Sequence, residues 1–344
     1  DEGQAKGHGH GILHEAAPRR GGPAMQTGLT ASPAARLDSR PRQAAKGVRA
    51  MTASLPRMRS WLFAPGDSER KMAKAAEGPA DVVIFDLEDA VTAEHKPAAR
   101  DAIARFLREC SADARRRLWV RVNPLDGDWT DADLAAVMPA RPGGIMLPKS
   151  RGRGDVEELD RRLARLETAH GIPAGSTPVI ALVTETAAAM FTTGDYAGAP
   201  RLAAMTWGGE DLADSIGAQT NRREDGEFAF TYELARSLCL LGAAAAGVVP
   251  VETISTDFRD LDALRARAVR VRREGYRGML AIHPAQVEVI NEAFTPSAEE
   301  LAEAREIVAL FEANPGAGTI GWKGGMLDRP HLSRARQMLA LAGD

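Results

Sequence analysis

Only two cysteines occur in the 344-residue chain, Cys110 and Cys239, and they lie far apart in sequence. That excludes a disulfide framework and a cysteine zinc site, and fits a reducing, cytoplasmic setting. No run approaches the roughly 20 continuous apolar residues needed to span a bilayer; the longest, Leu238 to Val249, is shorter and rich in Ala and Gly. An excess of one charge is missing too. Lys plus Arg number 44 against 47 Asp plus Glu, a net charge of −3, so no global field holds a polyanion and neither nucleic acid nor membrane is an expected partner. Also absent are a Ser-His-Asp order, an H-E-x-x-H pair, a Walker loop and a G-x-G-x-x-G turn. What is present is 44% hydrophobic, enough to bury the core of one large or two ordinary domains.

Residues 1–57 are rich in Gly, Pro, Ala and Arg, show no sustained period, and carry nine Lys/Arg against four acids. They are expected to form a disordered leader, with Met51 or Met58 as the natural start, and His8, His10 and His14 within it are not expected to order around a metal.

From Ser60 onward, short apolar runs alternate with segments of helical period. Eight strand candidates follow: Ser60–Ala64, Asp81–Leu87, Leu118–Asn123, Gly144–Pro148, Pro178–Thr184, Leu202–Trp207, Val248–Ile254 and Gly278–Ile282. Helical patterns lie between them, including 68–77, 96–109, 155–170, 232–245 and 261–274, with Asp67 and Asp131 as candidate caps. Eight β/α units in roughly 230 residues predict a TIM (β/α)8 barrel over 58–295, followed by a C-terminal helical extension over 296–344. In such a barrel catalytic groups gather at the C-terminal ends of the strands.

Those ends are polar. Glu185 and Asp211 each close a strong strand signal one β/α unit apart, and two such carboxylates are hard oxygen donors suited to Mg²⁺; equally, they can cap the next helix or pair with a base. Arg121 requires an anion, either Glu88 or Asp89 in the acidic run Asp86-Leu87-Glu88-Asp89, or a substrate carboxylate. Arg59, Arg70, Lys71 and Lys74 surround the first βα loop, where a phosphate would find charge and helix N–H groups, although solvated bases on a helix give the same pattern. His283 before Pro284 serves as a base, a cofactor contact or an ordinary loop histidine.

The motifs Arg59-Ser60-Trp61-Leu62-Phe63-Ala64-Pro65-Gly66, Phe85-Asp86-Leu87-Glu88-Asp89-Ala90-Val91 followed by Lys96 and Ala99-Arg100, Val120-Arg121-Val122-Asn123, Met146-Leu147-Pro148-Lys149, Trp207-Gly208-Gly209-Glu210-Asp211-Leu212 and Ile282-His283-Pro284-Ala285-Gln286 stand in this order. With Gly325-Met326-Leu327-Asp328-Arg329-Pro330 they give a chain that, from about Arg59 to Ala342, resembles the HpcH/HpaI aldolase and citrate lyase β-subunit superfamily, in particular its CoA-ester lyases. The resemblance implies that Glu185 and Asp211 bind Mg²⁺, with Mn²⁺ as a substitute, and that Arg121 holds the carboxylate of a 2-oxo acid. It implies that Glu88 and Asp89 position water or orient Arg121, and that Phe63, Arg70, Lys74, Ile282 and His283 contact the CoA portion of the substrate. It further implies that Asp328 acts in a neighbouring subunit of a homotrimer or hexamer. CoA-independent aldolases of the superfamily carry Asp-Gly-Glu-His where this chain has Asp86-Leu87-Glu88-Asp89, so their histidine base is missing here. The expected reaction is reversible cleavage of a citramalyl-, malyl- or citryl-type thioester to acetyl-CoA and a 2-oxo acid. Its rivals are a malyl-CoA-type thioesterase, a CoA-independent aldolase and a noncatalytic CoA-binding assembly subunit.

Overall fold

Eight apolar segments can each bury both faces only if helices cover them from outside and their own side chains fill the middle. The computed structural model, which describes residues 55–342, has that arrangement. The strands are β1 (Ser60–Pro65), β2 (Val82–Asp86), β3 (Leu118–Arg121), β4 (Gly144–Leu147), β5 (Val179–Leu182), β6 (Leu202–Thr206), β7 (Val249–Glu252) and β8 (Gly278–Ala281). All are parallel and pair in chain order, and β8 closes onto β1. This is the expected TIM barrel. The intervening helices include Lys96–Glu109, whose Ala99, Ile103 and Leu107 make one buried stripe, and Leu261–Glu274, whose first turn is capped by the Asp260 side chain accepting from the Ala263 N–H at 2.9 Å.

Strand alternation divides the core. Trp61, Val82, Ile84, Trp119, Met146, Ile180 and Leu182 fill the barrel, whereas their neighbours Leu62, Val83, Phe85 and Val120 pack under the helices. Trp61 and Trp119 meet edge to face with centroids 5.2 Å apart. Gly144 makes room for this, since a Cβ there would fall 2.5 Å from the Trp119 ring. Filling of this kind is worth about 3–5 kcal/mol per large aromatic relative to alanine.

Several local expectations need correction. Leu55 packs against the barrel filling, so the folded chain begins before residue 58. Most of the leader, with its histidines, lies outside the described residues. Asp67 and Asp131 are not caps: Ser68 and Trp129 occupy those positions, and neither side chain makes a cap bond. Arg59 is not beside the first βα loop. It directly precedes β1 at the opposite barrel end, where its Nε and Nη2 fork onto Asp81 at 2.8 and 2.9 Å.

The expected C-terminal helices are present, with a hairpin between them. Helix Ala298–Ala313, opened by a Ser297/Glu300 capping box, leads into an antiparallel hairpin of β9 (Thr319–Trp322) and β10 (Gly325–Asp328), and helix Arg329–Ala342 follows. Lys323 and Gly324 link the strands with φ of 44° and 79°, the positive values of a two-residue hairpin turn. Ile307, Phe311, Leu327 and Leu332 give this segment a small core of its own. No helix among the described residues is long and apolar enough to cross a membrane.

Candidate active site

The alternation that sends Val82 and Ile84 inward brings Asp86 to the C-terminal mouth of the barrel, and Trp119 likewise brings in Arg121. The two are register partners across β2 and β3. Arg121 Nε donates to Asp86 Oδ1 at 2.7 Å and Nη2 to Oδ2 at 2.6 Å. Its Nη1 lies 2.7 Å from Glu88 Oε2 and 3.6 Å from Asp89. Burial works against the guanidinium charge, but Asp86 and Glu88 outweigh it and raise its pKa. Burial likewise pushes the Asp86 carboxyl up, and the Arg121 charge and hydrogen bonds bring it below its ordinary value.

The loop after β2 is braced from beneath. Lys96 Nζ donates to the Leu87 and Glu88 carbonyls at 2.7 and 2.9 Å. Asn123 Nδ2 reaches the Leu87 carbonyl and Asp133 Oδ2, and Arg100 Nε holds the other Asp133 oxygen at 2.6 Å. This bracing aims Glu88 into the mouth. Its carboxyl is raised, chiefly by burial and further by Asp89, against the opposing pull of Arg121 and Lys149. Glu88 Oε2 is buried and, despite its closeness to Arg121, accepts no hydrogen bond of proper geometry.

Lys149 ties the remaining acids together. Its backbone has φ 50°, a left-handed conformation uncommon for a residue with a side chain. That turn directs its N–H to Glu185 Oε2 at 2.5 Å, while its Nζ lies 2.7 Å from Glu88 Oε1 and 2.9 Å from Asp211 Oδ1. Glu185 is 2% exposed, and burial, then the charges of Glu88 and Asp211, push its pKa up to about 8. Gly208 permits this packing, since a Cβ there would fall 2.9 Å from Glu185 Cγ. Helix Gly209–Ser215 carries Asp211 in its first turn without a side-chain cap bond. The capping alternative for Asp211 therefore gives way to pairing with a base.

Among the described residues, no three His, Cys, Asp or Glu side chains stand together as a finished metal cage. The carboxylates instead converge on an ammonium. A buried acid pushed up to about 8 by burial and then by like charges, beside a buried Glu88 oxygen whose close partner Arg121 Nη1 lacks hydrogen-bond geometry, marks a place that demands positive charge, and the donors are all hard oxygens. These residues fit a small divalent cation.

A cavity of about 450 Å³ adjoins the cluster. Phe63, Arg70, Lys74, Ile282 and His283, the five positions expected to meet CoA, all line it. Phe63 belongs to both places, since the Arg121 guanidinium sits 4.9 Å from its ring centroid. Gln286 Oε1 accepts from the Ile282 and His283 N–H groups, and Phe258 stacks on His283 at 4.8 Å. Asp328 ends β10, its carboxylate 2.5 Å from Nδ1 of His331. The strand-end acids Glu210 and Glu252 turn elsewhere, to Asn221 and to Arg236, Arg267 and Trp207.

Asp86 and Lys149 were the site residues that sequence reasoning left without a role. The inward parity of residues 84 and 86 carried the first signal, and a lysine directly after a strand end carried the second.

The family described as HpcH/HpaI aldolase/citrate lyase matches residues 59–284. A (3S)-malyl-CoA thioesterase of Cereibacter sphaeroides is 37% identical over 286 residues, covering 83% of this chain and 94% of its own. A citrate lyase subunit beta-like protein of Mycobacterium tuberculosis is 36% identical over 284 residues, covering 83% and 95%. The crystal structure of protein CitE from M. tuberculosis in complex with magnesium, acetoacetate and coenzyme A superposes with a TM-score of 0.70 at 36% identity, covering 85% of this chain and 99% of that one. With the closed barrel and the strand-end motifs in place, the chain belongs to the HpcH/HpaI aldolase/citrate lyase family.

Proposed function

We propose that this protein is a Mg²⁺-dependent CoA-ester lyase that reversibly cleaves a 3-hydroxy-3-carboxyacyl-CoA of citramalyl, malyl or citryl type to acetyl-CoA and pyruvate, glyoxylate or oxaloacetate. The observation that carries this reading is the Arg121 and carboxylate cluster opening, across the shared Phe63, onto a cavity rimmed by Arg70 and Lys74. A thioester with a long anionic handle and a small carboxylate-bearing head needs those two places side by side. The CitE structure with magnesium, acetoacetate and coenzyme A adds support from a relative.

Glu185 and Asp211 would hold Mg²⁺, or Mn²⁺ in its place, which would supply Lewis acidity for formation of the carbonyl of the departing oxo acid. Arg121 receives the carboxylate of that oxo acid on its Nη1 side, in exchange for Glu88, while Asp86 fixes the other edge so that the guanidinium cannot swing away. Glu88, once exchanged, and Asp89 position water at the mouth. Phe63 and Ile282 give the thioester end an apolar wall, His283 lines the same channel, and Arg70 and Lys74 take its phosphates. As the bond between the carbinol and the thioester α-carbon breaks, the hydroxyl gives its proton to water at the mouth and its C–O becomes the carbonyl of the oxo acid, while the α-carbon gains the electron pair and needs a proton. Asp328 of a neighbouring subunit delivers it, and in condensation removes it from acetyl-CoA. The assembly on this reading is a homotrimer or hexamer.

A second reading is attack of water on the thioester, favoured by the relative named (3S)-malyl-CoA thioesterase. Incubation with a panel of CoA esters, with Mg²⁺ or EDTA, followed by mass spectrometry, separates the alternatives. Acetyl-CoA with a 2-oxo acid, abolished by EDTA, is the expected result. Free CoA with the intact hydroxy diacid selects the thioesterase, turnover of free 4-hydroxy-2-oxo acids selects an aldolase, and CoA binding without turnover selects an assembly subunit.

A further inference from the structure

Five acids surround the barrel mouth, Asp86, Glu88, Asp89, Glu185 and Asp211; Arg121 and Lys149 form ion pairs with them, while Lys96 lies beneath, on the Leu87 and Glu88 carbonyls. The bases do different work. Arg121 is fixed by Asp86 through two hydrogen bonds on one edge. The Lys149 ammonium, on a flexible stem with its side chain 30% exposed, bridges Glu88 and Asp211 and lies 4.0 Å from Asp89. Its left-handed backbone serves Glu185 through the N–H. One residue thus addresses both proposed metal ligands, Glu185 by main chain and Asp211 by side chain.

We propose that Lys149 is an internal counter-ion: in the metal-free protein its ammonium holds the acidic cluster together, and the divalent cation takes Asp211 from it on binding. This rests on the metal reading given above. A strongly hydrated ammonium and a small dication compete for the same hard oxygens, and both cannot be in contact with Asp211 without strong mutual repulsion. Lys149 is therefore a positioning residue that keeps the cluster folded and exchangeable. Its N–H to Glu185 persists in either state.

The test is Mg²⁺ and Mn²⁺ binding by isothermal titration calorimetry, without substrate, on the wild type, Lys149→Met, Lys149→Arg and Lys149→Gly. The methionine variant removes the charge at similar length. The glycine variant keeps the N–H and suits the positive φ, so it remains informative if the methionine variant does not fold. Both neutral variants should bind the metal roughly tenfold more tightly or better, by loss of the competing charge, and Lys149→Arg should stay near the wild-type affinity. In thermal melts the neutral variants should unfold earlier than the wild type without metal and gain more from its addition. A residue that merely supports the ligands would weaken binding when removed, so unchanged or weaker affinity in both neutral variants overturns the proposal. A wild type that binds neither ion overturns the metal reading itself, a separate result.

Discussion

Arg121 and Asp86 face each other as register partners on β3 and β2 and join through two hydrogen bonds of 2.7 and 2.6 Å, with Asp86 2% exposed. The pair makes the strand ends part of the site, because the residues that align the sheet also orient the guanidinium. Asp86→Asn keeps the shape but removes the charge and presents an N–H₂ to a donor. Breaking one side of a buried pair costs about 3–5 kcal/mol, and urea unfolding should show a loss of that order together with weaker pyruvate or glyoxylate binding. A variant that retains both stability and oxo-acid affinity would mean that Glu88 alone suffices to hold Arg121.

Gly208 and Glu185 are coupled by space alone. Gly208 has φ −124° and ψ 123°, which any residue adopts, so alanine there brings no backbone strain. Its Cβ would, however, meet Glu185 Cγ at 2.9 Å and Oε1 at 3.3 Å. Gly208→Ala is expected to displace the carboxylate and weaken Mg²⁺ binding by about tenfold or more, since a proposed ligand is moved from its place. Calorimetric titration with Mg²⁺ checks this, and wild-type affinity in the variant would remove Glu185 from the ligand set.

Much of this molecule is legible in its sequence because each barrel strand is a contiguous apolar run whose position is set locally. All eight strand expectations fall on observed strands, and the ends they marked include Arg121, Glu185 and Asp211. What was illegible depends on register or backbone conformation. That Asp86 is the two-pronged partner of Arg121 follows only from which β2 residue lies opposite which β3 residue. Nothing in the residue type of Lys149 announces a positive φ. The hairpin of β9 and β10 escaped because Thr319-Ile320-Gly321-Trp322 is short, carries glycine and is partly exposed, leaving little period-two signal. Arg59 was misplaced because a base beside a strand start and one beside a strand end look alike until the chain direction through the barrel is known.

Asp328 stands at the end of β10, in a segment with its own core and with Met326 beside it 61% exposed. Hydrogen bonding from His331 holds its carboxyl below the usual carboxylate range, so it is ionised at neutral pH, as a proton acceptor in the condensation direction must be. On the proposed mechanism, Asp328→Asn should lower turnover by about 10²–10⁴-fold, the range for loss of general acid–base catalysis, with Mg²⁺ and oxo-acid affinities retained. Arg121→Lys should instead weaken oxo-acid binding, because an ammonium cannot reproduce the fork. If the acid serves a neighbour, mixing the two impaired proteins under subunit exchange should give more activity than the sum of the two alone. Absence of any recovery, in mixtures shown by native mass spectrometry to contain hybrids, would place Asp328 outside the neighbouring site.

Glu185 gives the site a pH dependence of definite sign. Its carboxyl, ordinarily at 4.5, is raised to about 8 by burial and by the charges of Glu88 and Asp211. Between those values the folded, metal-free chain holds a proton that the unfolded chain has released. This group's contribution to stability therefore falls as pH rises from 4.5 toward 8, and is level above that. Metal binding must expel the same proton, so Mg²⁺ affinity should climb with pH across the window, by at most about tenfold per unit for a single proton, and then plateau. Calorimetry in buffers of different ionisation enthalpy counts the protons: close to one released per Mg²⁺ in the lower part of the window and close to none well above pH 8. An affinity flat from pH 6 to 8 would show that Glu185 is already ionised before the metal arrives, and that its charge is balanced by Lys149 and Arg121 alone.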